Sequence, residues 1–170
     1  MTDTPLPALP RRALLASLLV GLAGCGFELR RAPVFQFKTL ALTGFDAASP
    51  LLAELKRQLQ HLPVQLLEDP SRAEVVLHAQ RDWRDKVAVA STAAGQVREW
   101  QLRLSLNYLI RNAAGVELLP LTELRLYRDM SYTESAALAK EQEEASLYRA
   151  MQYEATHLLL RRLEAVHPGT

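Results

Sequence analysis

The sequence predicts an α+β fold: a two-layer sandwich in which two helices cover one face of a four-stranded mixed sheet, in the order β-α-β-β-β-α. Three observations lead to it. Residues 99–111 alternate apolar and polar side chains, which is the two-residue period of a strand with one buried face. Residues 133–166 lack Gly and Pro and repeat apolar residues at helical spacing. The length of 170 residues fits one domain.

The first predicted unit is a strand, a helix and a second strand. Residues 33–42 are rich in Phe and Val, which favours a strand. Ser49 followed by Pro50 is typical of a helix N-cap and first turn, and leucines at helical spacing follow as far as Pro63. Residues 74–89 predict the second strand, which a crossover of this kind allows to be parallel to the first. We expect one face of it to hold Val75, Leu77, Ala79 and Trp83.

The remaining elements predict an antiparallel meander and a long helix. Turn residues at 91–95 and 112–115 separate the strand at 99–111 from its neighbours, and a last strand is expected at 120–130. The helix at 133–166 would be about 50 Å long at 1.5 Å per residue. Its predicted buried stripe consists of Leu138, Ala145, Tyr148, Ala155, Leu159, Leu163 and Val166.

The N-terminus has the features of a processing signal. Arg11 and Arg12 precede an apolar run of 11 residues, which is too short to cross a bilayer and fits a secretory signal peptide. Small residues then lead to Cys25, the one cysteine of the chain, and this resembles the lipobox of bacterial lipoproteins. We therefore expect a signal peptide at 1–24, a single lipid-anchored domain at 25–166 and a tail at 167–170. The alternative is that Cys25 is simply an apolar cysteine in a signal or membrane segment.

The net charge of the chain excludes a role as a general polyanion-binding protein. The net charge is +1 over 170 residues, and removing residues 1–24 leaves 18 basic and 18 acidic side chains. Nucleic-acid binding needs a large basic excess, so no nucleic-acid partner is expected.

Catalytic and metal-binding patterns are not evident in the sequence. The four histidines lack metal-ligand spacing, a single cysteine excludes a cysteine metal cluster, and no nucleophile–base set or phosphate-binding glycine loop is recognisable. The carboxylates between Glu141 and Glu144 fan around the helix axis. We expect neither an enzyme nor a cofactor or metal.

Several basic residues lie on or near the central strands: Arg81, Arg84, Lys86, Arg98 and Arg103. Arginine can hold a phosphate in bidentate fashion, so Arg98 and Arg103 are candidate ligands for an anionic lipid headgroup. Ordinary solvated strand charge is the alternative.

Two segments resemble the LptE family, the lipopolysaccharide-assembly lipoproteins of Gram-negative outer membranes. One is Cys25-Gly-Phe-Glu-Leu-Arg30, directly after the lipobox. The other is residues 128–151, which include the run Ala-Leu-Ala-Lys-Glu-Gln-Glu-Glu at 137–144. The resemblance extends from Cys25 to about Leu163.

The resemblance implies a lipoprotein, acylated at Cys25 and held at the outer membrane, that plugs the LptD β-barrel at one to one. It implies that the protein assists barrel assembly and binds lipopolysaccharide for insertion into the outer leaflet. The motif lysine linked to lipopolysaccharide binding is Lys140 here. Where the family carries a basic residue before Gly-Gln, this chain has Ala93 and Ala94, so Arg98 is the candidate replacement.

Two alternatives stay open. Lys140 lies beside several glutamates and could only balance the charge of a helix surface. The protein could also be an independent lipid-anchored periplasmic lipoprotein that binds another envelope ligand.

Overall fold

The computed structural model describes residues 33–168, and the predicted signal peptide and Cys25 lie outside them. The strands are β1 (Thr39–Thr43), β2 (Gln65–Leu67), β3 (Val75–Ser91), β4 (Val97–Asn112) and β5 (Glu117–Ser131). The helices are α1 (Pro50–Leu59) and α2 (Ala137–Glu164), with 3-10 turns at Pro70–Arg72 and Glu134–Ala136.

The α+β class is confirmed, but the sheet has five strands rather than four, in the order β2-β1-β3-β4-β5. β1 is parallel to both β2 and β3, and β3, β4 and β5 form the antiparallel meander. The additional strand is β2, which spans three residues between Pro63 and Pro70. A strand this short is too brief to show a two-residue period, so the sequence pattern could not reveal it.

The first strand begins later than the aromatic residues suggest. β1 starts at Thr39 instead of residue 33. Phe35 and Phe37 lie before it, stacked with ring centroids 5.1 Å apart, and Phe37 is buried in the core. Apolar packing therefore explains the aromatic residues that had suggested a strand.

The predicted cap of α1 is confirmed. The Ser49 hydroxyl accepts a hydrogen bond from the Leu52 backbone N–H at 3.0 Å, and Pro50 opens the helix. Ser49 also donates to the Asp82 carboxylate on β3, which ties the start of α1 to the sheet. The helix ends at Leu59, four residues before Pro63.

The core lies between one sheet face and both helices. The alternating residues of β4 that were predicted to be buried are indeed buried from Leu102 to Ile110, and the leucines of α1 pack in the same cluster. Arg84, on this face of β3, stacks on Tyr148 of α2. We call the covered side the helix face and the other side the open face.

A β-bulge in β3 changes which side chains face the helices. Ala79 pairs with Tyr108 and Arg81 pairs with Asn107, so Gln80 has no partner on β4. Beyond the bulge the alternation is shifted by one residue. Trp83, paired with Ser105, therefore lies on the open face, and the prediction that it shares a face with Val75, Leu77 and Ala79 was wrong. Asp82, Arg84 and Lys86 face the helices instead.

Only the C-terminal half of α2 is buried. The helix spans 28 residues, about 42 Å, rather than about 50 Å. Ala155, Leu159, Leu163 and the following Val166 are buried as predicted, whereas Leu138 is 72% exposed and Ala145 is also exposed. The first half of α2 lies over the charged part of β3, which offers no apolar surface to cover.

Candidate functional site

Lys140 joins the beginning of α2 to the end of β5. Its Nζ donates to Glu143 Oε2 at 2.7 Å and to Ser131 Oγ at 3.1 Å. The lysine side chain is 17% exposed. Of the acidic neighbours in the sequence, Glu143 is therefore the one that pairs with it, and the charge-balancing role of Lys140 exists in the structure.

Arg98 is brought to the same end of the sheet. It occupies a bulge of β4, opposite the step from Ala90 to Ser91, and its side chain is exposed. The Arg98 carbonyl accepts a hydrogen bond from the Tyr132 backbone N–H at 2.8 Å, one residue after the serine that Lys140 contacts. Strand pairing thus places both candidates beside the last residues of β5.

Lys86 and two aromatic residues complete this end of the sheet. Lys86 Nζ lies 2.6 Å from Glu144 Oε2 and 5.0 Å from the centre of the Trp100 ring. Trp100 meets Tyr132 edge to face, with centroids 6.3 Å apart. We define the distal cluster by five members: Lys86, Arg98, Trp100, Tyr132 and Lys140.

The aromatic members of the distal cluster were not among the predicted site residues. Trp100 was predicted only as an apolar strand residue. Its place in the alternation of β4 gave no indication of a binding role. Its contacts with Lys86 and Tyr132 join residues that are far apart in the chain. Such a meeting depends on strand register, which the local pattern does not encode.

The lysines of the distal cluster are both paired with glutamates of α2. Side-chain exposure is 36% for Lys86 and 25% for its partner Glu144, and it is 17% for Lys140 and 46% for its partner Glu143. Because the Glu143 carboxylate is open to solvent, a multiply charged anion can compete with it for the Lys140 ammonium group.

A polar cleft of about 750 Å³ lies next to the distal cluster, between β3 and the first half of α2. Tyr148 lines this cleft: its hydroxyl donates to the Asp85 carbonyl at 2.8 Å, and the Arg84 guanidinium lies 5.1 Å from its ring centre. Burial raises the pKa of Tyr148, and the nearby Glu144 carboxylate acts in the same direction. The charged lining residues are Arg84, Asp85, Lys86, Glu141, Glu144 and Arg149.

Arg103 lies apart from the distal cluster. It is paired with Asp85 on one side and Tyr127 on the other, in the middle of the open face. Its Nε donates to Gln101 Oε1 at 2.9 Å. Arg98 and Lys140 therefore lie at one end of the sheet, and Arg103 lies in the middle of the open face.

Metal binding and membrane spanning can both be assessed for the described part of the chain. Among residues 33–168, no group of three or more His, Cys, Asp or Glu residues is placed to hold a metal ion. Neither helix in this part of the chain is long and apolar enough to span a membrane.

The chain is similar to lipoproteins of lipopolysaccharide assembly. The family model LptE, described as lipopolysaccharide-assembly, matches residues 37–163. An LPS-assembly lipoprotein LptE of Photorhabdus laumondii is 32% identical over 166 residues, covering 92% of this chain and 88% of the relative. That of Pectobacterium atrosepticum is 29% identical over 167 residues, with the same coverage of both chains.

A solved structure has the same fold. The solution structure of an uncharacterized lipoprotein B from Nitrosomonas europaea superposes with a TM-score of 0.70 at 27% identity. The match covers 82% of this chain and 91% of that chain.

Proposed function

Because the chain belongs to the LptE family, the lipoproteins of lipopolysaccharide transport and assembly, we propose that it works without catalysis as the plug of an LptD-type β-barrel. One copy, acylated at Cys25 after removal of residues 1–24, sits at the periplasmic side of the outer membrane and inside the barrel lumen. It assists assembly of the barrel and binds lipopolysaccharide on its way to the outer leaflet.

The distal cluster is the surface that supports lipopolysaccharide binding best. Cationic residues from β3, β4 and α2 lie at this end of the sheet beside two aromatic rings. Lipid A carries dense phosphate charge, and ammonium and guanidinium groups are its natural partners. In this proposal Lys140 exchanges Glu143 for a phosphate, and the exposed Arg98 supplies a second charge. The observation that carries the proposal is the pairing of Lys140 with Glu143, whose side chain is 46% exposed.

Lipopolysaccharide pull-down with the full-length lipoprotein tests this role. We expect Lys140→Asp to weaken capture without changing the circular dichroism spectrum. Arg57→Asp is the matched control, because Arg57 also forms an (i, i+3) ion pair on a helix, with Glu54 on α1. Equal capture by both variants and the parent would reject the Lys140 role.

The barrel partner is tested separately by affinity purification from native outer membranes. We expect a large β-barrel protein to co-purify at one to one. The alternative function, an independent binding lipoprotein for another envelope ligand, is favoured by the polar cleft beside α2. It predicts a monomer without a barrel partner, so purification of the lipoprotein alone would select it.

A further inference from the structure

The open face of the sheet has a depression with Ser105 at its floor. Strand pairing places Trp83 on one side of Ser105 and Arg125 on the other. The next row along the strands is Asp85, Arg103 and Tyr127. Because Ser105 is short and only 6% exposed while its neighbours are long, they enclose a pocket of about 490 Å³. Small-molecule sites usually measure about 300–1,000 Å³.

Two arginines, Arg103 and Arg125, line this pocket. Arg103 is held through its Nε by Gln101, whose amide in turn donates to Asp129 Oδ1 at 3.0 Å. Arg125 is held through its Nε by Glu123 Oε1 at 2.5 Å. Within residues 33–168, the terminal nitrogens of both arginines have no hydrogen-bond partner. A guanidinium fixed at Nε leaves its two Nη groups for bidentate binding of an anion.

The other walls of the pocket suit a ring with hydroxyl groups. The Arg81 guanidinium lies 4.3 Å from the Trp83 ring centre and holds that ring in place, and Tyr127 is 62% exposed. The Asp85 carboxylate, which has no side-chain partner among the described residues, can accept hydrogen bonds from hydroxyls. Aromatic surface, a carboxylate acceptor and two guanidinium groups together match a sugar that carries an acidic substituent.

We propose that this pocket binds an acidic saccharide unit, a sugar ring bearing a phosphate or a carboxylate. Arg103 and Arg125 contact the acidic group, and Asp85 and the aromatic side chains contact the ring. This site deepens the proposed function and rests on it for the source of the sugar. An anionic glycolipid would supply such a unit. The surface of this site is nevertheless distinct from the distal cluster.

Tryptophan fluorescence can report on this pocket alone. The chain has two tryptophans, so Trp100→Phe leaves Trp83 as the single reporter. The full-length lipoprotein in detergent micelles would be titrated with a hexose 1-phosphate, a hexuronate, a neutral hexose and inorganic phosphate. We expect saturable changes with the two acidic sugars. Binding of the neutral hexose, which lacks the anion, and of inorganic phosphate, which lacks the ring, should be about tenfold weaker or more. Calorimetry on the unsubstituted chain checks that Trp100→Phe is harmless.

Variants separate this site from the distal cluster. Arg103→Gln and Arg125→Gln should each lower the affinity for acidic sugars about tenfold. Lys140→Gln and Arg161→Gln, a control on the last turn of α2, should leave the affinity unchanged. No saturable response to either acidic sugar, or equal affinity for inorganic phosphate, would overturn the saccharide site. The lipopolysaccharide pull-down depends on Lys140, and the Trp83 titration depends on Arg103. Failure of one proposal can therefore be recognised independently of the other.

Discussion

A Cβ atom built on Gly44 would lie 2.0 Å from the carbonyl oxygen of Ala79. Gly44 follows β1, has a φ of +78°, and faces β3 at the residue where the bulge begins. The close approach of these two backbones ends the β1–β3 pairing, whose last pair is Thr43 with His78. Glycine is required here both for its conformation and for the space it leaves.

We therefore predict that Gly44→Ala strongly destabilises the domain. The left-handed conformation alone costs a non-glycine residue about 1–2 kcal/mol, and relief of the backbone clash adds to it. The expected loss of unfolding free energy exceeds about 2 kcal/mol in urea denaturation. Gly95→Ala is the matched control, because Gly95 has a φ of +80° and a Cβ added there would meet nothing within 4 Å. Similar losses for the two variants would show that the Ala79 contact is unimportant.

Removing the acidic partner of Lys140 should strengthen lipopolysaccharide binding. In Glu143→Gln the lysine loses its 2.7 Å ion pair, so an incoming phosphate no longer has to displace a carboxylate. We expect capture to rise several-fold, with stability changed by about 1 kcal/mol or less, because the Glu143 carboxylate is half open to solvent. The measurement is a pull-down at several lipopolysaccharide concentrations. Glu54→Gln, which breaks the Arg57 pair on α1, should have no effect on capture.

Ser49→Ala should weaken the attachment of α1 to the sheet. The substitution removes the N-cap bond to Leu52 and the bond to Asp82 together. Loss of an N-cap lowers the free energy of unfolding by about 0.5–2 kcal/mol. Because Asp82 also loses its partner, we expect a value in the upper part of that range. Thr133→Ala provides the comparison, since Thr133 precedes a helical turn without a side-chain cap bond. Thermal unfolding of the two variants should differ by several degrees.

Tyr148→Phe should cost about 1 kcal/mol of stability, the usual contribution of one hydrogen bond, because the Asp85 carbonyl loses its donor. The parent should also lose stability in alkali. Burial raises the pKa of Tyr148 in the folded state, so the folded protein holds the phenol proton more tightly than the unfolded chain does. This contribution is complete below about pH 10 and declines as the pH rises further. Urea denaturation between about pH 8 and about pH 11 should therefore show a smaller alkaline decline in Tyr148→Phe than in the parent.

Cys25→Ala should abolish acylation and, in cells depleted of the proposed barrel partner, release the protein from membranes. Without the thiol there is no site for acylation, and several acyl chains are needed for stable attachment. The measurement is partition of the variant after a detergent-free salt wash. A variant that stays with the membrane fraction would mean that a partner holds it or that Cys25 is not the anchor.

The sequence predicted those helices and strands that can be recognised from the pattern of side chains within one segment. The alternation from Trp100 to Ile110 identified β4 and its buried face, and Ser49-Pro50 located the start of α1. β2 was missed because three residues carry no period. Trp83 was placed on the wrong face because a bulge is a property of the pairing between two strands, and alternation within one strand does not reveal it.

The candidate site was predicted in part. The motif run indicated Lys140, and its glutamate neighbours indicated an ion pair. The contacts that give the site its shape join residues of different elements, as Lys86 with Glu144 and Lys140 with Ser131. Arg98 and Arg103 are close in sequence, but Arg98 lies at the end of the sheet and Arg103 lies in the middle of the open face. Spacing along the chain alone did not indicate this separation.

The unpaired Gln80 also governs how related sequences must be aligned. One added residue in β3 exchanges the faces of the residues from Arg81 to Ala88, where the next register shift follows, without altering any of them. If a relative lacks this extra residue and is aligned without a gap, the residue aligned with Trp83 is one that faces the helices. For any relative that lacks the bulge, open-face positions such as Trp83 and Asp85 are therefore comparable only when a one-residue gap is placed at Gln80.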